Sequence, residues 1–400
     1  MRVIKVLAAI AMLGIAGVAL LLVTLWLDHT RETNLPAPTG PFAVGRVMYH
    51  WSDTANDDSM AQQAGTKREL VAWIWYPALS QAGLRTADYF PAPWRAALAK
   101  HLNVLFTQFI DRDTARVHSH ALQDAVMASQ DKTFPVVIMR AGAAALVANY
   151  TTLAEDLASH GYVVVGFDAP YRSMITVFPD GRVIARAPQN NVELQSGQQQ
   201  TQLAERLAES WSRDSSFALD QMEQLNASGS SGLFFAKLDL TRVGIFGHSL
   251  GGATALQFCH DDARCKAGID VDGLPLGSAI KDGVRQPFMF LLSDHSHEAL
   301  AETAPVNANF RAIYDRLPDN RRIWVVIRGA DHFRFSDGAF LQVPLVMNLL
   351  HAMGVLHLDG SRQVTVTERY VATFFDVYLK GAPASELNPD ARYPEAEYVQ

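Results

Sequence analysis

The chain has 400 residues, of which 49% are hydrophobic, and its formal net charge is −7. This length and composition allow a large buried core, and a single long α/β domain would account for them. A nucleic-acid partner is not expected, because phosphate binding requires clustered Lys and Arg and the sequence has no long basic run. The glycine signatures of dinucleotide-binding and P-loop proteins do not occur either, and no cofactor is predicted.

The N-terminus carries an apolar run from Val6 to Leu27, which is long enough to cross a bilayer as a helix. Arg2 and Lys5 precede it, and positive charge on that side favours a cytoplasmic N-terminus. A cleaved signal peptide is the alternative, but the residues around Asp28 are bulky where small ones should mark a cleavage site. The sequence favours an uncleaved signal anchor over residues 1–34. The remainder is then periplasmic or extracellular, and it is secreted if cleavage occurs.

A linker is predicted at residues 35–41 and a catalytic domain at residues 42–385, followed by a C-terminal tail at 386–400. Short apolar runs predict strands, and longer periodic segments predict helices. The strands are predicted at 42–49, 70–76, 135–139, 162–167, 242–246, 266–271, 287–292 and 323–327, and the helices at 151–160, 338–353 and 364–380. This alternation predicts an α/β fold, a mostly parallel sheet with helices on both faces.

Residues 170–236 interrupt the alternation. Residues 195–226 have apolar side chains at helical spacing, and the Ser/Gly segment 228–232 is predicted to be flexible. The segment is either a set of ordinary α/β connections or a cap over the site. The chain has two cysteines, Cys259 and Cys265, and in an exported protein so close a pair predicts a disulfide.

The most informative motif is Gly-His-Ser-Leu-Gly-Gly at positions 247–252. An apolar strand precedes it and a helical segment follows, which is the context of a nucleophile elbow, with Ser249 as nucleophile. The base should follow the last core strand, and His332 stands there after a glycine turn. The acid is either Asp272 or Asp294, since each follows a strand beyond the elbow. The usual position in this fold favours Asp294, whereas the apolar surroundings of Asp272 favour a carboxylate with a dedicated partner.

An oxyanion hole requires backbone N–H groups, one from Leu250 and another from the small-residue loop at 140–145. No metal site is predicted, because the His-x-His pairs at 118–120 and 295–297 lack a third ligand in register.

Four segments together resemble the plasma-type platelet-activating factor acetylhydrolases and their bacterial relatives. They are the elbow, the helix end at 156–161, the segment 269–277 and the histidine loop 328–337. The resemblance implies the α/β-hydrolase fold, assigns the acid to Asp272 and places the second oxyanion donor at Ala143. The family usually has Ser-His-Gly in the oxyanion loop, whereas this chain has Arg-Ala-Gly at 140–142.

The predicted function is therefore that of a membrane-anchored serine ester hydrolase. The resemblance implies a short-acyl phospholipid or a similar lipid ester as substrate. A cutinase-like or general carboxylesterase is the alternative of the same class. A binding protein that keeps the fold without turnover is the alternative of another class.

Overall fold

The computed structural model of the protein describes residues 2–81, 83–101, 109–128, 133–229, 232–298 and 300–399. In chain order its strands are β1 Thr33–Asn34, β2 Ala43–Asp57, β3 Lys67–Ala78, β4 Thr86–Asp88, β5 Val117–Gln123, β6 Phe134–Arg140, β7 Val163–Asp168, β8 Ile175–Val177, β9 Val183–Ala185, β10 Leu238–His248, β11 Cys265–Val271, β12 Phe288–Leu292, β13 Arg322–Ile327 and β14 Ala396–Tyr398. The helices are α1 Arg2–His29, α2 Ala92–His101, α3 Thr151–Ser159, α4 Gly197–Ala227, α5 Leu250–Asp261, α6 Ser278–Asp282, α7 Leu300–Tyr314, α8 Gly338–Leu341, α9 Pro344–Ala352 and α10 Gly360–Lys380.

Twelve of the described strands form one sheet, in the order β1-β5-β2-β3-β7-β6-β10-β11-β12-β13-β14, with β4 paired to β5. In this order the adjacent strands from β7 through β13 are parallel to one another, and β7 is antiparallel to β3. In contrast, β2 and β3 are antiparallel to each other, and β14 is antiparallel to β13. The carboxyl ends of the parallel strands meet at one edge, where the loops after β6, β10, β11 and β13 come together. This is the α/β-hydrolase arrangement that the sequence predicts.

The apolar runs of the central strands are explained by burial on both faces of the sheet. In β6, Val137 and Met139 pack into the core on one face, while Val136 and Ile138 pack into the core on the other. The first core also receives α3 and α10, and the second receives α4, α5 and α7. Because successive strand residues point to opposite faces, a strand covered on both sides shows no polar alternation.

Three features differ from the sequence prediction or add to it. The segment 338–353, predicted as one helix, forms α8 and α9, because Pro344 starts a new helix and holds Val343 in an extended conformation. The predicted C-terminal tail contributes β14, an edge strand that continues the main sheet. The linker predicted at 35–41 is fastened to the domain: Leu35 is buried, and the N–H of Gly40 donates to Ser159 Oγ.

The apolar N-terminal run forms α1, and within Ile4–His29 an 18-residue stretch has a mean hydropathy of 2.8 and is not buried against the described part of the protein. The end of α1 is attached to the domain. The N–H of Asp113 donates to the carbonyl of His29 at 2.9 Å, and His29 Nδ1 lies 2.6 Å from the carbonyl oxygen of Asp111. The length and composition of this helix are those shared by membrane anchors and signal sequences.

The segment 170–236 contains the β8–β9 hairpin and α4, which packs against α5. A fully buried ion pair fastens it to the rest of the domain. The Arg172 guanidinium donates two hydrogen bonds to Asp214 on α4 and two to Asp58, which follows β2. Residues 230 and 231 of the predicted flexible segment lie outside the described residues.

Cys259 near the end of α5 and Cys265 at the start of β11 are joined by a disulfide, with their Cα atoms 5.1 Å apart. The bond closes the short turn between the elbow helix and the next strand, as the sequence predicts.

Candidate active site

The turn between β10 and α5 holds Ser249 in a strained conformation. Its φ is 58°, in the left-handed region that few residues other than glycine adopt. The strain is accommodated by two glycines: a Cβ on Gly247 would clash with the backbone of Gly251, and a Cβ on Gly251 would clash with the backbone of Arg140. The sequence therefore dictates the sharp turn that exposes the Ser249 hydroxyl at the edge of the sheet.

His332 reaches Ser249 from the loop that follows β13. It begins a short 3-10 turn, and the carboxylate of Asp331 caps this turn by accepting a hydrogen bond from the N–H of Phe333. His332 Nε2 lies 3.1 Å from Ser249 Oγ, and His332 Nδ1 lies 2.7 Å from Asp272 Oδ2. The structure thus brings three predicted residues into one hydrogen-bonded chain that can move a proton from a hydroxyl to an imidazole.

Asp272 follows β11 and is held by the start of the neighbouring loop. Ser293 donates to its carboxylate from the backbone N–H at 2.7 Å and from Oγ at 2.7 and 2.8 Å. Burial alone would raise the pKa of Asp272, but the hydrogen bonds from His295 and His332 hold it well below its ordinary value. The Asp272 carboxylate is therefore ionised and oriented at neutral pH.

Asp294, the other candidate acid, has a different position. Its carboxylate accepts hydrogen bonds from the N–H of Gly329 at 2.8 Å and from the N–H of Ser296 at 3.0 Å. Within the described residues it makes no hydrogen bond to His332. Asp294 instead fastens the turn that precedes the histidine loop.

The oxyanion loop after β6 lies directly against the nucleophile. A Cβ on Gly142 would come within 3.2 Å of Ser249 Cβ. The N–H of Gly142 donates to Tyr150 Oη at 3.3 Å, and the carbonyl of Ala143 accepts a hydrogen bond from Arg186 at 2.9 Å. Leu250 is the first residue of α5, where backbone N–H groups have no partner within the helix.

His248 is a site residue to which the sequence analysis assigns no role. The buried ring packs against His332, with ring centroids 4.7 Å apart, and its Nε2 lies 2.7 Å from the His332 carbonyl oxygen. Its Nδ1 lies 2.7 Å from Tyr150 Oη. Burial lowers the pKa of His248 to about 3, so the ring is neutral. No sequence signal gives the direction of this ring, because the direction depends on how the loop after β13 folds back.

A cavity of about 470 Å³ opens beside Ser249. Its wall is mainly apolar, with side chains from α4, the loop after β11 and α7. The apolar lining residues are Ala143, Val192, Ala204, Leu250, Ala253, Leu274, Leu276, Leu292, Val306 and Phe310. The polar lining residues other than the hydrogen-bonded chain are Gln200, Thr201, His295, Glu298 and Asn307. Such a wall suits an apolar acyl or alcohol group placed next to the serine.

His248, Asp272 and His332 bring ligand-type atoms within 4.8 Å of one another. These atoms are used in hydrogen bonds: His248 Nε2 faces a carbonyl oxygen, and His332 Nδ1 faces the Asp272 carboxylate. The donor set therefore fits a proton-transfer chain better than a cation site. Of the His-x-His pairs, His118 and His295 each have a glutamate oxygen within hydrogen-bond distance.

Comparison with known proteins agrees with this geometry. The family model described as "Platelet-activating factor acetylhydrolase, isoform II" matches residues 27–381. The platelet-activating factor acetylhydrolase of Cavia porcellus is 23% identical over 260 residues, which cover 62% of this chain and 58% of that protein. A probable 1-alkyl-2-acetylglycerophosphocholine esterase of Arthroderma benhamiae is 23% identical, over 91% of this chain and 93% of that protein.

Among solved structures, a ferulic acid esterase from Streptomyces cinnamoneus superposes with a TM-score of 0.74. Its sequence is 26% identical, and the match covers 92% of this chain and 100% of that chain. The family match extends over most of the sequence, and the fold is that of an esterase. The chain therefore belongs to the platelet-activating factor acetylhydrolase, isoform II family of α/β-hydrolase esterases.

Proposed function

We propose that this protein is a serine hydrolase of lipid-type carboxylic esters, with short-acyl phospholipids as substrates. The observation that carries the proposal is the chain from Ser249 Oγ to His332 (3.1 Å) and from His332 to Asp272 (2.7 Å) beside an apolar cavity. Membership of the acetylhydrolase family supports a short acyl group, and the apolar wall supports a lipid as the alcohol part.

In the proposed reaction, Ser249 Oγ attacks the ester carbonyl while His332 Nε2 takes its proton. His332 then delivers this proton to the leaving alcohol, and an acyl-enzyme forms on Ser249. Water attacks the acyl-enzyme with His332 again acting as base, and Ser249 is released. Asp272 accepts a hydrogen bond from His332 Nδ1–H throughout, which fixes the tautomer and stabilises the imidazolium.

The oxyanion of each tetrahedral intermediate is assigned to the N–H groups of Leu250 and Ala143. The position of Leu250 at the start of α5 supports this assignment, because its N–H and the helix dipole both favour negative charge there. Ala143 lines the cavity, and the neighbouring N–H of Gly142 is already used by Tyr150. Each such donor contributes about 3 kcal/mol to transition-state stabilisation.

We further propose that α1 anchors the enzyme to a membrane with the catalytic domain on the non-cytoplasmic side. The exposed apolar surface of α1 supports this, as do Arg2 and Lys5 at its start. The end of α1 is attached next to α9. The N–H of Val343, just before α9, donates to the carbonyl of Ile110, and Ile110 adjoins Asp111, which contacts the end of α1. Leu349 on α9 and Met353 just after it are exposed, as expected for a surface that faces lipid.

The test of the chemistry is labelling by a fluorophosphonate probe together with hydrolysis of acyl esters from acetyl to long-chain. The wild type should be labelled and should prefer short-acyl phospholipids, and folded Ser249→Ala should show neither labelling nor turnover. A preference for water-soluble aryl esters would instead favour a general carboxylesterase, which the fold shared with a ferulic acid esterase supports as the second candidate. Absence of labelling in the folded wild type would favour a binding protein.

The test of the membrane anchor is fractionation. The full-length chain should sediment with membranes, whereas a chain that begins at Asp28 should remain in the supernatant. Recovery of the full-length chain in the soluble cytosolic fraction would contradict the anchor.

A further inference from the structure

Resting on the proposed ester hydrolysis, we propose that His248 is a positioning residue. It holds the backbone of His332 on one side of Ser249 and, through Tyr150, holds the oxyanion loop on the other. The starting observation is a continuous hydrogen-bonded path that runs from the carbonyl of His332 to the N–H of Gly142 through two buried rings.

The chemistry of the partners fixes the direction of every hydrogen bond in this path. A carbonyl oxygen can only accept, so His248 Nε2 carries the proton and donates to the carbonyl of His332. The neutral ring then offers Nδ1 as an acceptor, and the hydroxyl of Tyr150 donates to it. The oxygen of Tyr150 accepts from the N–H of Gly142. Each hydrogen bond therefore has one donor and one acceptor, and only one assignment of protons satisfies the whole path.

The path joins the two parts of the site that must keep a fixed distance during catalysis. One end is the peptide of His332, whose ring must face Ser249 Oγ. The other end is Gly142, the residue before Ala143, the assigned oxyanion donor. Because the loops after β6 and β13 come from different strands, their backbones have no sheet hydrogen bond that would set this distance. His248, in the elbow itself, is placed between them.

Burial keeps the His248 ring suited to this role. The low pKa of His248 leaves it neutral beside His332, which becomes an imidazolium in the proposed transition state. The Asp272 carboxylate lies within 4.8 Å and favours protonation of His248, but burial and the neighbouring His332 outweigh it. Phe335 covers the ring, with centroids 5.7 Å apart. A positively charged ring at position 248 would repel the imidazolium that catalysis requires.

The inference is tested with three variants assayed on 4-nitrophenyl acetate. His248→Phe keeps a ring of similar size and removes both hydrogen bonds, and we expect kcat to fall about 100-fold, as misplacement by about 1 Å does. KM should be nearly unchanged, since substrate contacts remain. His248→Gln restores a donor toward the carbonyl of His332, and it should recover a large part of kcat. Tyr150→Phe removes the hydroxyl that links His248 Nδ1 to the N–H of Gly142 but leaves the hydrogen bond from His248 to the carbonyl of His332, and kcat should fall by about tenfold.

The pH profile separates positioning from direct proton transfer. Every variant should keep the kcat/KM ionisation of the wild type, because the proposed base is His332. Loss of that ionisation in His248→Gln would show that His248 itself titrates in catalysis, and it would overturn the inference. Wild-type kcat in folded His248→Phe, or in Tyr150→Phe if the first variant does not fold, would also overturn it. Neither result affects the proposed function, which is tested separately by fluorophosphonate labelling and by the hydrolysis panel on the wild type and Ser249→Ala.

Discussion

Replacement of Asp272 by asparagine exchanges one carboxylate oxygen for an NH2 group, and the structure determines which oxygen is exchanged. The N–H of Ser293 donates to Asp272 Oδ1 at 2.7 Å, and a backbone N–H can only donate. The oxygen of the asparagine must therefore stay at Oδ1, and its NH2 group takes the position of Oδ2. That group faces His332 Nδ1, which lies 2.7 Å away.

An NH2 group facing Nδ1 forces His332 into the opposite tautomer. Nδ1 must then accept, the ring proton moves to Nε2, and Nε2 can no longer take the proton of Ser249. The known effect of such a tautomer change in a serine triad is about 10⁴ in kcat. This corresponds to about 5.5 kcal/mol of transition-state stabilisation, at about 1.36 kcal/mol for each factor of ten. The fold should be retained, because the hydrogen bond with the N–H of Ser293 persists.

The assay compares kcat and thermal unfolding of Asp272→Asn with those of Asp294→Asn, the matched control. The Asp294 carboxylate accepts from the N–H groups of Gly329 and Ser296, and an asparagine oxygen can keep one of these hydrogen bonds. Losing the other hydrogen bond costs about 1 kcal/mol, so kcat of the control should fall by no more than about tenfold. A severe defect in Asp294→Asn beside a mild one in Asp272→Asn would refute the reasoning and move the acid to Asp294.

Three further predictions concern stability. Arg172→Met should lower the free energy of unfolding in urea by about 3–5 kcal/mol, because it leaves buried carboxylates without their partner; a change below 1 kcal/mol would contradict the burial of this pair. The hydrogen bond with Asp272 raises the pKa of His295 to about 9, above its ordinary value. The protonated ring therefore contributes its full stabilisation below about pH 6.5, and this stabilisation is lost as the pH rises through 9. The difference in Tm between the wild type and His295→Gln should therefore be larger at pH 6 than at pH 9.5, and an equal difference would refute this. The Cys259–Cys265 bond should contribute about 2 kcal/mol through its short loop; intact mass after alkylation without reduction would reveal two free thiols if the bond does not form.

The sequence could predict the elbow because its requirements are local. Gly247 and Gly251 are needed on steric grounds within a few residues of Ser249, and the flanking strand and helix are visible as apolar patterns. His332 was also accessible, because its place follows from the order of the strands. The break between α8 and α9 could be read from Pro344, but the continuous apolar periodicity on both sides outweighed it in the prediction of one helix.

Local sequence could not identify the acid of the site or the orientation of the His248 side chain. Asp272 and Asp294 both follow strands that end at the same edge of the sheet, and local sequence does not say which carboxylate faces the histidine. The choice depends on Ser293, whose N–H and hydroxyl hold Asp272 toward His332. The orientation of His248 likewise depends on residues that are distant in sequence, since its partners are Tyr150 and His332.

The segment 170–236 was predicted either as ordinary connections or as a cap, and its packing favours a fixed wall of the active site. Leu203, Leu207 and Trp211 on α4 pack directly against Leu250 and Ala253 of the elbow helix. Lifting α4 as a lid would separate these apolar surfaces and would also expose the buried pair between Arg172 and α4, at a cost of several kcal/mol. We therefore infer that substrate enters without movement of α4. Changes in substrate preference are then expected from the three α4 side chains that line the cavity, at positions 200, 201 and 204.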